Sequence, residues 1–283
     1  MKFRVKGNLG YEVTGPATII ASIQAMQTAG QEVLVESFLT SREVNYEELA
    51  MGLGGNRYSR LVVEEAGPLA IDYTADVMTG VTRVPRNELS RIGPDQLSAE
   101  VMPFLFPSRY CESDSLREFA ADTFPADATV YEHVERVVEW IRENISYVSG
   151  ASNEETSATI TLRDRQGVCR DFAHLGITIC RALMIPARYA TVYAYRLEPQ
   201  DFHACFEVYL GGKWCIFDAT GLAPLDGLVR ISTGRDAGDT AVASLYGGIA
   251  GCEMKVEVEC LDKNFQGLGR EELHRAGEAI ILA

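Results

Sequence analysis

The chain has 283 residues, 47% of them hydrophobic, enough to bury the core of one large or two ordinary domains and too apolar for disorder. Its formal net charge of −14 argues against a partner with a phosphate backbone, so no nucleic-acid role is expected. Seven cysteines without a framework pattern fit a reducing compartment, and with no signal-peptide core and no run near the roughly 20 apolar residues of a span, a cytoplasmic protein without membrane contact is expected.

The first hundred residues read as β-rich. Short apolar or alternating runs at 3–5, 17–25, 32–39, 59–65 and 69–77 are separated by Gly, Pro and Asn signals, the pattern of an antiparallel sandwich. Gly52-Leu53-Gly54-Gly55-Asn56 lacks the lysine of a phosphate-binding loop and reads as a turn between strands. Pro94, Pro103 and Pro107 mark 94–114 as a connector. Beyond it the period becomes helical. Leu116, Phe119, Ala120 and Thr123 predict a short helix; Val130, Val134, Val137, Val138, Ile141 and Ile145 predict a second, with Asp127 or Thr129 as N-cap and His133 on its solvated side. Phe172, Leu175, Ile179 and Leu183, up to Pro186, predict a buried helix over 169–184. Tyr193 and Tyr195 alternate on a following strand, as core or as cleft lining. Residues 202–210 and 213–218 form a hairpin around Gly211-Gly212, strands follow at 228–232 and 254–260, and from 271 onward the chain is a terminal helix or a loose tail. The expected class is α+β, with an N-terminal antiparallel β domain over 1–100, helices packed on an antiparallel sheet over 101–263, and a tail over 264–283.

Cys169 stands in the run Arg165-Gln166-Gly167-Val168-Cys169-Arg170-Asp171-Phe172-Ala173-His174-Leu175, at the start of the third predicted helix. A free thiol, with a pKa of roughly 8.5, is mostly protonated at neutral pH, but a helix N-terminus and a neighbouring imidazolium both favour the reactive thiolate. Gly167 would let the chain turn sharply into the helix and keep backbone N–H groups free for a developing oxyanion, with Gln166 as a side-chain donor. Asp171 suits the first turn as a capping carboxylate.

The base and its partner follow on the hairpin, as His203 and Asp218. With a two-residue loop Asp218 sits opposite Cys205 and diagonal to His203; a four-residue loop centred one residue earlier puts it directly opposite His203. Both registers leave imidazole and carboxylate on one face, because side-chain direction has period two. Asp218 then fixes the His203 tautomer while the other ring nitrogen meets the Cys169 thiol.

The remaining titratable residues have plainer readings. Cys180, Cys215, Cys252 and Cys260 read as small core residues. His174 points about 140° away from Cys169 on the same helix, a packing or surface residue, and His274 lies in the tail. No Cys-x-x-Cys or helical His-x-x-x-His pair occurs, so Cys169, His203 and Cys205 would take zinc at most adventitiously; neither metal nor cofactor is expected.

Four ordered motifs, the run around Cys169, Ile185-Pro186-Ala187-Arg188-Tyr189, His203-Ala204 with Phe206-Glu207-Val208-Tyr209, and Trp214 to Thr220, resemble the bacterial transglutaminase-like superfamily. Gly7-Asn8, Pro107-Ser108-Arg109-Tyr110 and Gly234-Arg235-Asp236 extend the resemblance to its larger members with an N-terminal β domain. It implies a papain-like core with a triad carried onto Cys169, His203 and Asp218. The chain departs from the family pattern twice, with Cys205 where tryptophan is usual and Ala219 where proline is usual. The expected activity is cysteine-dependent acyl transfer from an amide of a peptide or protein substrate, to water in a peptidase or amidase or to an amine in a transglutaminase. A noncatalytic peptide-binding module on the same scaffold is the rival. A reversible Cys169–Cys205 disulfide is a further expectation. The sequence carries no signal of oligomeric state.

Overall fold

The computed structural model describes residues 1–51 and 55–282, so Gly52, Leu53 and Gly54 of the expected turn lie outside the described residues. In β1 (Lys2–Ala21) alternate side chains Phe3, Val5, Leu9, Tyr11 and Val13 are buried, so one continuous strand joins the first two expected runs. It is followed by β2 (Gln31–Thr40), β3 (Asn45–Met51), β4 (Asn56–Val63) and β5 (Gly67–Thr79), giving the order β2-β5-β1-β4-β3. β3, polar and rich in glutamate, carried no apolar alternation to announce it. A short β6 (Val81–Pro85) then leads into the connector.

The helical region comprises α1 (Arg117–Thr123), α2 (Val130–Asn144) and α3 (Ala158–Asp164), with two-residue strands β7 (Ser146–Tyr147) and β8 (Gln166–Gly167) paired in parallel. Thr129 is the N-cap of α2, its hydroxyl accepting from Glu132 N–H and the Glu132 carboxylate accepting from Thr129 N–H. α4 (Cys169–Ala182) leads to β9 (Ala187–Ala194), β10 (Phe202–Leu210), β11 (Lys213–Phe217) and β12 (Leu228–Gly234), an antiparallel sheet in the order β11-β10-β9-β12.

The helices cover one face of this sheet: Val134, Val137 and Ile141 of α2 and Phe172, Leu175 and Ile179 of α4 join Phe206, Val208 and Leu210 in one core. The other face is closed by the end of the chain. There α5 (Arg270–Ala276) and β14 (Glu278–Leu282) pack Leu273, Ile280 and Leu282 against Val192, Cys205 and Ile216, and β14 pairs with β6. The tail is therefore helical over 270–276 and tied into a sheet beyond it.

β13 (Ala243–Cys260) starts well before the expected 254 and pairs along β1 from Phe3–Cys260 to Ala21–Ala243, completing the N-terminal sheet. The two sheets share a core in which Tyr193, Phe202, Val229 and Ile231 meet Phe3, Leu9 and Ile71. Tyr193 is core rather than cleft lining, its hydroxyl donating to Ile23 O at 2.6 Å, and Tyr195 packs on Phe3 and Phe265. The side-chain amides of Gln31 and Asn56 hydrogen-bond the backbone of Arg230 and Thr233, docking the N-terminal sheet on β12.

Two of the three outlying motifs, Pro107 to Tyr110 and Gly234 to Asp236, meet each other. Buried Arg181 donates to Phe106 O, the Ser108 hydroxyl, Ala187 O and Arg235 O, and Tyr110 N–H donates to Asp236 Oδ2. His133 is buried instead of solvated, sharing a cleft with Leu89, Phe124 and Leu183, because the segment 86–91 and the end of α4 close over the first turns of α2. Among the described residues no helix is long and apolar enough to cross a membrane.

Candidate active site

Cys169 is the first residue of α4 and remains partly exposed. Asp171 organises the turn before it: Oδ2 accepts from Val168 N–H at 2.8 Å and Oδ1 accepts from the Ser152 hydroxyl at 2.9 Å. A Cβ on Gly167 would lie 2.7 Å from Asp171 Cβ, and the φ of Gly167 is not positive. The glycine makes room for the carboxylate, in place of the conformational role expected of it. Gln166 is exposed beside it.

The hairpin adopts the two-residue loop. Leu210 pairs with Lys213 across Gly211 and Gly212, whose φ values of 55° and 81° suit a primed turn, and this register sets Asp218 opposite Cys205 and diagonal to His203. His203 Nε2 lies 3.0 Å from Asp218 Oδ2. The other carboxylate oxygen accepts from Thr220 N–H at 2.8 Å and the Thr220 hydroxyl at 2.7 Å. His203 Nδ1 has no partner of normal hydrogen-bond geometry, though the Cys169 thiol is close enough to act on the imidazole.

Electrostatics favour a charged pair. Burial pulls His203 toward its neutral form, but Asp218, helped by the Cys205 and Cys169 thiols, outweighs it and holds the pKa well above the usual imidazole value. For Asp218 burial raises the pKa, and His203 with the Thr220 hydrogen bonds more than offsets it, leaving it below the usual carboxylate value. His174 is the reverse. It is fully buried, stacked on Tyr110 at 5.0 Å, accepts from Ala237 N–H through Nε2, and is held neutral by burial and by the nearby Arg170 and Arg181.

Burial pushes the thiols of Cys111, Cys180, Cys205 and Cys215 up to about 12. Cys180 and Cys215 are core residues as expected, whereas Cys252 is exposed and Cys260 half-buried, because β13 is covered only around Val256 and Val258. Cys169 and Cys205 are both free thiols here.

Sequence reasoning missed Tyr147. Pairing of β7 with β8 sets Tyr147 beside Gly167, and its hydroxyl interacts with both the thiol and the backbone N–H of Cys169. Burial, followed by the Cys169 sulfur, raises the phenol pKa. Its ring packs on Phe172 at 5.8 Å. Nothing in the run Ile145-Ser146-Tyr147 announces this, since the placement comes from a pairing across 20 residues.

Two family models match: a transglutaminase-like superfamily core over residues 117–219 and a bacterial transglutaminase N-terminal domain over residues 1–99. A crystal structure described as that of a “Putative Cysteine Protease from Cytophaga hutchinsonii” is 44% identical and covers 100% of this chain and 98% of that one, with a TM-score of 0.95. An uncharacterized protein of Mycobacterium leprae is 27% identical over 42% of this chain and 46% of its own, and one of Mycobacterium tuberculosis is 32% identical over 35% and 31%. The chain spans less than half the length of these curated relatives.

Proposed function

From the premise that this chain belongs to the transglutaminase-like superfamily, and at that level is a cysteine-dependent enzyme, we propose that it cleaves amide bonds of a peptide or protein through a thioester on Cys169. The observation that carries this reading is the His203 Nε2 to Asp218 Oδ2 hydrogen bond at 3.0 Å, with Nδ1 free of any hydrogen bond and the Cys169 thiol at the head of α4 acting on the same imidazole. The sulfur attacks the carbonyl carbon, the C–N bond breaks, and protonated His203 gives its proton to the departing amine. Water then attacks the thioester while His203 takes its proton, releasing acid and thiol. Asp218 orients the ring and stabilises the imidazolium throughout. The backbone N–H of Cys169, at the open end of the helix, faces the developing oxyanion with the Tyr147 hydroxyl beside it.

Water as acceptor is favoured by the protease description of the Cytophaga relative. The deciding experiment offers a glutamine peptide with and without a primary amine and weighs the products. Cleaved or deamidated peptide in both reactions supports hydrolysis; an amine adduct assigns transamidation; an unchanged peptide that stays bound returns the protein to the noncatalytic reading.

A further inference from the structure

We propose that His203, Cys205 and Asp218 form a binding site for a thiophilic divalent cation, Zn2+ first, whose occupation withdraws the imidazole and the carboxylate from Cys169. The inhibitory consequence rests on the function proposed above; the coordination does not. One ligand atom from each of the three residues lies within 4.8 Å of the other two, and all three side chains are buried. In a tetrahedral zinc site, with metal–ligand distances of about 2.0–2.3 Å, ligand atoms stand roughly 3–4 Å apart, so a small contraction closes the site.

The scaffold that gathers these atoms is rigid. His203 and Cys205 are two residues apart on one face of β10, and the register of β11 sets Asp218 across from Cys205. Charge also balances. A thiolate and a carboxylate together neutralise the charge of the ion. A sulfur ligand selects Zn2+ over Mg2+ or Ca2+. Asp218 also lines a groove of about 1310 Å³ between α2 and the C-terminal segment, with Arg142, Leu222 and Gly267 on its walls. Of the three residues Asp218 alone lines this groove, so the carboxylate is the side from which the ion would arrive. Cys205 has no part in the proposed acyl transfer, and its buried thiol is a poor nucleophile.

Co2+, whose spectrum reports sulfur ligation, is titrated into the Cys169→Ala protein. One equivalent should bind with a sulfur-to-cobalt charge-transfer band that Zn2+ displaces. Cys205→Ser and Cys205→Ala, checked for folding by circular dichroism, should lose the band and bind Zn2+ at least about 100-fold more weakly, beyond the about 10–100-fold cost of outer-shell changes. Asp218→Asn should keep the band and lose at least about tenfold in affinity. With Cys169 present, Zn2+ should slow its reaction with iodoacetamide and a chelator should restore it. No charge-transfer band in Cys169→Ala, or a band that survives loss of Cys205, overturns the site and leaves the amide chemistry standing. A normal cobalt band in a protein without amide turnover removes the enzyme reading and leaves the site.

Discussion

The two faces of β10 are buried to similar depth and carry opposite chemistry. Ala204, Phe206, Val208 and Leu210 point into the helical core, while His203, Cys205 and Glu207 point the other way, and all seven are buried. The apolar face is held by packing. The polar face is held by pairing: His203 by Asp218, and Glu207 by Arg188 at 2.5 Å and by Arg230, which also donates to Leu282 O. A strand of period two can thus serve a core and a candidate active site at once, provided every buried charge on the polar side has a partner.

The largest effect should come from the polar face. His203→Ala should lower amide turnover by about 10⁶-fold, comparable to loss of a triad histidine elsewhere, with the fold retained by circular dichroism. A loss of only a few-fold would detach that face from the chemistry.

Next come two substitutions that cost alike for different reasons. Phe206→Ala should destabilise by about 3–5 kcal/mol through a cavity, and Glu207→Ala by about 3–5 kcal/mol because Arg188 and Arg230 lose the carboxylate that neutralises both, each measured by denaturant unfolding. The distinction lies in repair. Replacing Arg188, Glu207 and Arg230 together by apolar residues of similar volume should restore most of the loss, whereas no polar substitution should rescue Phe206→Ala. Smaller again is Gly176→Ala in α4. Its Cβ would stand 2.8 Å from the Phe206 ring, so overpacking should cost about 1–3 kcal/mol in thermal or denaturant melts.

The subtlest effect is a pH profile. His203 has its pKa raised when folded, so its contribution is complete below the usual 6.5 and lost as pH rises through the folded value. Asp218 has its pKa lowered, so its contribution is complete above the usual 3.8 and lost as pH falls through the folded value. The stability gap between the native protein and Asp218→Asn should therefore be widest between pH 3.8 and 6.5 and narrow on either side. A gap independent of pH would mean that the pair is not charged.

Cys169, His203 and Asp218 were legible because each lies in a short pattern whose geometry is local: a thiol at the head of an apolar helical repeat, an alternating strand, and a Gly-Gly turn that fixes the register. The return of β13 to β1, the burial of His133 and the approach of Tyr147 to Cys169 were not, because each comes from chain segments that meet only in the folded core. Gly167 was singled out for a turn and serves close packing; a glycine alone does not distinguish the two.

The most direct test of the account is iodoacetamide labelling mapped cysteine by cysteine in the native protein and in His203→Ala. Cys169 should alkylate well ahead of the other six thiols, exposed Cys252 included, and should lose that lead when His203 is removed. Labelling that follows exposure alone, with Cys252 at least as fast as Cys169 in both proteins, would contradict a thiol activated by the imidazole on β10.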